Sequence, residues 1–328
     1  MAQLITGVFG ALRVSASVQN QGSWWAIHRE LSVGPFEIEH GLEAERYAYN
    51  TRNLSQARRQ RRIIRGEHAG YSDLFVPIVA AHEAVAVLVV GPFALARPTS
   101  ADILERWRAL TGLQGHPADP EFASYLSASL ATLVLDGGRA ATFERLLACL
   151  AQLIAGEGVA DELANRADAL RVELEPARLV ENTWEAVQTM LDERSSRIWS
   201  SAHSAHELGR LGLSRIADHV LVGLCASRTP GVDPVDDAVR LHAFQRSSVE
   251  LARAVGEAIA GQVGDHGVVF LSASSGGGSR KRQKLRDLAE RAQALSRRRF
   301  GLSLHFGASA ALGSTPLSRS YQAALAAA

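Results

Sequence analysis

Between Asp73 and Phe93 the chain reads DLFVPIVAAHEAVAVLVVGPF, two apolar runs of strand length separated by a polar turn at His82 and Glu83. Runs of that length, bounded by turn residues, predict a β-hairpin with both strands largely buried. Pro98, Thr99 and Ser100 then supply a helix start, and Ile103, Leu104, Trp107 and Leu110 recur at spacings of three and four. An amphipathic helix should therefore cover one face of the sheet. A second helical pattern runs from about residue 119 to 155. It carries Phe122, Leu126, Leu130, Leu133 and Leu135 early and Phe143, Leu146, Leu147, Leu150 and Leu153 late, with a break expected at Gly137 and Gly138.

Glycines at 156 and 158 interrupt this pattern, after which Leu163, Ala167, Leu170 and Leu174 fall at intervals of four, three and four. Such a seam suits a short parallel coiled coil. Beyond Pro176 a further helix places Val180, Trp184, Val187, Leu191 and Ile198 on one face. Two readings stand side by side here: a helical connector with a dimer seam, or two amphipathic helices packed on their own domains. The second half reads as a strand over 219–226, a helix over 235–260, a strand pair around 264–273, a helix over 280–299 and a strand over 302–308. Strands interleaved with helices imply a layered sheet. The expected fold class is α+β or α/β, two sheet-plus-helix domains joined by helices: 1–158, a connector at 159–200, and 201–328.

Length supports that division, since 328 residues exceed what one hydrophobic core usually holds. With 47% hydrophobic and 21% charged residues, wholesale disorder is excluded. A formal net charge of +1 gives no broad basic field, so tight nucleic-acid binding by this stretch itself is not indicated. Cys149 and Cys225 sit in apolar runs without a CxxC pair, which reads as two reduced thiols. Residues 1–13 lack the features of a secretory leader, and the longest apolar run, near 84–90, is too short to span a bilayer. A cytoplasmic location without membrane contact is the expectation.

The second half, with GDHGVVFL at 264–271, a basic helix, LSLHFGAS at 302–309 and LSRSYQAALAAA at 317–328, resembles the GGDEF-like domain of CdaR/PucR-class and related AraC-type regulators. The resemblance covers about residues 180–328. The first half, through Pro77 and Ile78 and the strand ending in Gly91, Pro92 and Phe93, resembles GAF/PAS-like or PocR-like sensory domains over about 20–155. These resemblances imply a GAF-like sensor, a ferredoxin-type GGDEF-like domain, a small-molecule effector, a homodimer, and DNA contact only through a helix-turn-helix domain following Ala328. No such motif is evident within the chain itself.

An active cyclase hairpin uses two glycines for close nucleotide approach and acidic residues to hold a divalent metal. At the matching positions stand Val263, Gly264, Asp265, His266 and Gly267, and the strand VLVGLCAS at 220–227 carries no aspartate. Too few oxygen ligands remain for metal-assisted phosphoryl transfer, and Asp265 reads as a turn residue. The loop SASSGGGSRKRQK at 272–284, with Arg280, Lys281 and Arg282, lacks P-loop spacing and reads as a connector. His203 and His206, beside Glu207, lack a third ligand, and the arginine runs at 58–65 and 297–299 read as solvated faces. The expectation is no enzyme, no metal and no cofactor. An effector cavity would lie between the first sheet and its helices, with Trp24, Trp25, Tyr47, Tyr49, Tyr71, Phe75 and His82 as candidate contacts. Trp24 and Trp25, if on a strand, point to opposite faces. A nucleotide-binding or cyclase-related signalling protein, and a dimerisation scaffold without ligand, are the rival readings.

Overall fold

The computed structural model describes residues 2–157, 160–192, 204–226, 233–273, 278–310 and 316–328, and the alternation read in the first half becomes a five-stranded antiparallel sheet. A short helix, α1 (Ala2–Leu12), precedes the edge hairpin β1 (Ala16–Asn20) and β2 (Ser23–His28). Two helices follow, α2 (Gly34–Glu39) and α3 (Glu43–Gln60), then β3 (Ile64–His68), β4 (Tyr71–Ala80) and β5 (Glu83–Phe93). The strand order is β2-β1-β5-β4-β3. The expected β4–β5 hairpin forms around Ala81 and His82, whose φ values of 50 and 67 suit a two-residue turn twisted like the strands it joins.

Helices α4 (Ser100–Thr111), α5 (Pro120–Ala131) and α6 (Gly137–Ile154) follow; α6 packs on β4, and α4 and α5 pack on each other through Trp107, Phe122 and Tyr125. The Thr99 hydroxyl accepts from the Asp102 backbone N–H while the Asp102 carboxylate accepts from the Thr99 N–H, a reciprocal cap that fixes the start of α4. The break between α5 and α6 lies at residues 132–136, ahead of the glycines that were expected to make it. Residues 133–135 turn extended to exchange backbone hydrogen bonds with Ala94, and Asp136 then caps α6, which Gly137 and Gly138 open.

Helix α7 (Ala160–Leu191) is continuous through position 176, where two separate helices were expected. Its residues are held by burial: Leu163, Leu170 and Leu174 enter the core of the first sheet, and Val180, Val187 and Met190 are buried among the cores of the second. The Leu163–Leu174 seam thus packs on its own domain, the second of the two readings, and not as a coiled-coil seam. The chain divides into two compact units, Met1–Leu174 and Glu175–Ala328, with the boundary inside α7.

The second unit adds α8 (Ser204–Leu211), β6 (His219–Cys225), α9 (Pro234–Val255), β7 (Ala258–Val263), β8 (Gly267–Ser272), α10 (Gly278–Leu295), β9 (Leu304–Ala310) and α11 (Leu317–Ala327). A β-α-β-β-α-β succession with antiparallel order β7-β8-β6-β9 is the ferredoxin-like split arrangement. Helix α9 stops at Val255, short of the expected Ala260. Gly256 and Glu257 take φ of 78 and 54, which no helix accommodates, and the following AIAGQV enters the sheet. Apolar side chains close both faces: Leu221, Phe244 and Phe270 on one, Val220, Val222 and Val269 on the other. No described helix is long and apolar enough to cross a membrane.

Candidate functional site

The two faces of the first sheet differ in chemistry. Leu74, Val76 and Ile78 of β4 and Leu88 and Val90 of β5 face an apolar core that includes Phe143, Leu146 and Leu150 of α6. On the opposite face α3 lies over β3, β4 and β5, and there β4 presents Asp73 and Phe75. Strand β5 carries one extra residue at this level: Ser72 pairs with Phe93 and Leu74 with Val90, so Gly91 and Pro92 bulge opposite Asp73. The bulge needs its glycine. Gly91 has φ of +151, and a Cβ there would lie 2.3 Å from Asp73 Oδ1 and 2.9 Å from the Ser72 carbonyl.

Asp73 is fully buried but not alone. The Tyr49 hydroxyl donates to Asp73 Oδ2 at 3.1 Å, and Arg46 lies 3.1 Å from the same oxygen. Arg46 also approaches Glu37 at 3.7 Å, and His68 Nε2 lies 3.3 Å from Glu37 Oε2, an ion-pair separation without hydrogen-bond alignment. His68 stacks on Tyr49 with centroids 4.8 Å apart, and the Arg46 guanidinium sits 5.2 Å from the Tyr49 ring centre. Gly66 makes room for this packing, since a Cβ would stand 2.5 Å from the Tyr49 hydroxyl. Burial raises the carboxyl pKa of both Asp73 and Glu37 above the usual range, outweighing the opposing attraction of Arg46 and His68. Burial and the neighbouring Asp73 likewise push the Tyr49 phenol upward, so it stays a donor.

Asp73 and Arg46 of this cluster stand at the deep end of a cleft between α3 and the β1–β2 hairpin, which Glu37, Tyr49 and His68 do not border. A cavity of about 300 Å³ has Ser17, Val89, Gly91 and Asp73 on its sheet side, Arg46 and Asn50 on α3, and Trp24, Ala26, His28 and Arg29 on the β2 side. A second cavity of about 260 Å³ shares Trp24 and Asn50 with it and continues along α3 past Tyr47, Thr51, Leu54 and Arg58. Helical spacing explains the wall: Arg46 and Asn50 are four apart, as are Tyr47 and Thr51, and Leu54 and Arg58, so one stripe of α3 lines the whole cleft. Asn50 Oδ1 is buried without a hydrogen-bond partner, as is Arg58 Nε, although Arg58 also donates to Gln19. His28 is engaged with Glu30 at 3.1 Å.

Of the residues singled out from the sequence, Trp24 and Tyr47 line the cleft, exposed by 44% and 73%, and Tyr49 lies in the cluster beneath it. Trp25, the neighbour of Trp24 on β2, is exposed and does not line it. Phe75 packs in the apolar core under α3. Tyr71 is buried elsewhere, donating to Ser129 Oγ at 3.1 Å beneath the Arg106 guanidinium. His82 sits in the β4–β5 turn, where its carbonyl accepts from Arg61. The arginine run at 58–65 is not uniformly solvated: Arg58, Arg61 and Arg65 contact Gln19, His82 and Glu144.

Sequence reading missed Glu37, Arg46, Asn50, His68 and Asp73. Asp73 carried a usable signal, a carboxylate at an inward position of an otherwise apolar strand. The rest arise from pairings between distant segments that no local pattern announces. Among the described residues no group of three His, Cys, Asp or Glu side chains is placed to hold a metal ion. His206 is exposed on α8, and His203 and the middle of the 272–284 loop lie outside the described residues. Cys149 and Cys225 are free, and burial raises the Cys225 thiol to about 11. No protein-family model and no curated protein matches the chain.

Proposed function

We propose that this chain is a signal-input module in which the first unit binds a small effector in the cleft between α3 and the β1–β2 hairpin. The observation that carries the reading is a cavity pair that joins Trp24, Tyr47 and Leu54 to a largely polar lining including Arg29, Arg46, Asn50 and Asp73, set against a buried charge cluster. A sheet with one sealed face and one open polar face suits the sensory role that the GAF/PAS-like resemblance implies. Buried charges are costly in a purely structural core, and their collection at one end of a cleft favours recognition over packing.

The second unit is, in this reading, a GGDEF-like domain without cyclase chemistry. Its β7–β8 turn is fastened by protein groups: Gln245 Nε2 donates to the carbonyls of both Gly264 and Gly267, and β6 contributes no acidic side chain. It would help dimerise the regulator and position a DNA-binding domain that lies outside this chain. Effector binding shifts the regulator only if one arrangement binds it better than another.

A thermal-shift screen of the full chain against small metabolites and nucleotides tests the assignment, because a ligand that binds only the folded state raises its stability by mass action. The expected result is a saturable rise from a small polar metabolite, reduced by Trp24→Ala. A rise confined to GTP or ATP with magnesium would replace this reading with nucleotide chemistry, and the absence of any rise across a broad library would favour a scaffold.

A further inference from the structure

Charge accounting along the cleft narrows the ligand. At its deep end two buried carboxyls, Glu37 and Asp73, face one guanidinium, Arg46, and one imidazole, His68. Desolvation opposes ionisation of both acids. Asp73 borders the cavity there, and the adjacent Asn50 Oδ1 is a buried acceptor without a donor. Beside Arg46, that end offers acceptors to a further donor.

The opposite holds at the β2 side. Arg29 borders the same cavity and has no ionic or hydrogen-bonding partner among the described residues, whereas neighbouring His28 is already engaged with Glu30. A free guanidinium is suited to bidentate contact with a carboxylate. His28 and Asp73 flank the same stretch of sheet through Ala16 and Val90, whereas Trp24, paired with Gln19 further along the hairpin, borders both cavities, and the second offers Tyr47 and Leu54 to an apolar or planar group.

Resting on the reading of this cleft as an effector site, we infer that it takes a small zwitterion of α-amino-acid type. Its ammonium group donates to Asp73 and Asn50 Oδ1, its carboxylate is held by Arg29, and its side chain extends past Trp24 into the second cavity. The cavity of about 300 Å³ lies at the lower end of ligand-site volumes, which fits a compact metabolite. An ammonium ion in that position adds a donor for Asn50 Oδ1 and a positive charge beside Asp73.

The test is calorimetric titration of the full chain with each of the twenty protein amino acids, followed by the des-amino acid and the decarboxylated amine of any that bind. At least one amino acid should bind, and loss of either its ammonium or its carboxylate should weaken binding tenfold or more. Arg29→Gln, at an exposed position that leaves folding intact, should weaken the amino acid about tenfold and leave the decarboxylated amine unchanged. Asn50→Leu should weaken both, with circular dichroism confirming the fold. If the des-amino acid binds as tightly as its parent, or if only uncharged metabolites bind and Trp24→Ala reduces their binding, the zwitterion assignment is overturned while the cleft remains an effector site. If no small molecule of any class binds, both fall.

Discussion

In the C-terminal sheet, Val220, Val222 and Val269 close one face, and Leu221 and Phe270 close the other with Phe244 of α9, each beneath the apolar sides of amphipathic helices. In the N-terminal sheet α6 seals one face with comparable apolar packing, while α3 brings Arg46, Tyr49 and Asn50 against Asp73 on the other. The strands of both sheets are similarly apolar in composition, so composition does not set the difference. It comes from one inward aspartate and from a helix that sets polar Arg46 and Asn50 beside its buried Tyr49, Leu54 and Ala57. A sheet with two apolar faces gains stability from each helix it adds. A sheet with a charged face gives up some of that gain and acquires a site.

The largest test of this contrast is in the sealed sheet. Phe270 is fully buried on β8, so Phe270→Ala should cost about 3–5 kcal/mol, read as a lower urea midpoint. A loss below about 1 kcal/mol would mean that this face is loosely packed and that the comparison fails on its structural side.

The bulge in the open sheet gives the next effect. At Gly91 a methyl group meets a carboxylate and a backbone carbonyl at φ of +151, so Gly91→Ala should destabilise by about 1–3 kcal/mol. Because the clash falls on Asp73, ligand binding in the cleft should weaken along with stability. Unchanged ligand affinity in a destabilised Gly91→Ala protein would separate the bulge from the site.

How much of this was legible differs between the sheets for a physical reason. The C-terminal β-α-β-β-α-β order could be read because each element carries its own periodicity and each turn its own signal, down to Gly264 and Asp265 between β7 and β8. The β4–β5 hairpin and α4 were legible on the same grounds. Residues 1–70 were not read as elements, since α3 (EAERYAYNTRNLSQARRQ) is mostly polar and shows no apolar stripe to betray a buried face. Beside its few buried apolar residues, Tyr49, Leu54 and Ala57, runs the polar stripe that lines the cleft, so the feature that makes the site also hid the helix. The unbroken α7 escaped notice because Pro176 is a strong stop signal locally, and burial on either side of it overrides that signal only in the folded chain.

A smaller effect distinguishes a charged cluster from a merely polar one. Burial raises the folded-state pKa of Glu37, so between its ordinary value and the raised one the folded chain holds more protons than the unfolded chain. Stability then falls as pH rises through that window. Glu37→Gln cannot titrate, so its stability relative to the parent should rise with pH across the window, by at most about 1.4 kcal/mol per pH unit for one carboxyl. Urea unfolding of both proteins at a series of pH values checks this. A flat difference would show that Arg46 and His68 hold Glu37 at its ordinary value and that burial does not dominate this cluster.

The smallest effect concerns the one acid in the β7–β8 turn. Asp265 is exposed, and the turn around it is held by other groups: the His266 N–H donates to the Val263 carbonyl, and Gln245 Nε2 donates to the carbonyls of Gly264 and Gly267. Asp265→Ala should therefore change stability by no more than about 0.5 kcal/mol. It should also leave any stabilisation by magnesium and GTP unchanged, because a lone carboxylate on an exposed turn is too small an oxygen set for a magnesium ion carrying a triphosphate. Should Asp265→Ala abolish a magnesium-dependent GTP response of the full chain, the functional weight would move to the C-terminal sheet. The open face of the N-terminal sheet would then need a different explanation for the charges it buries.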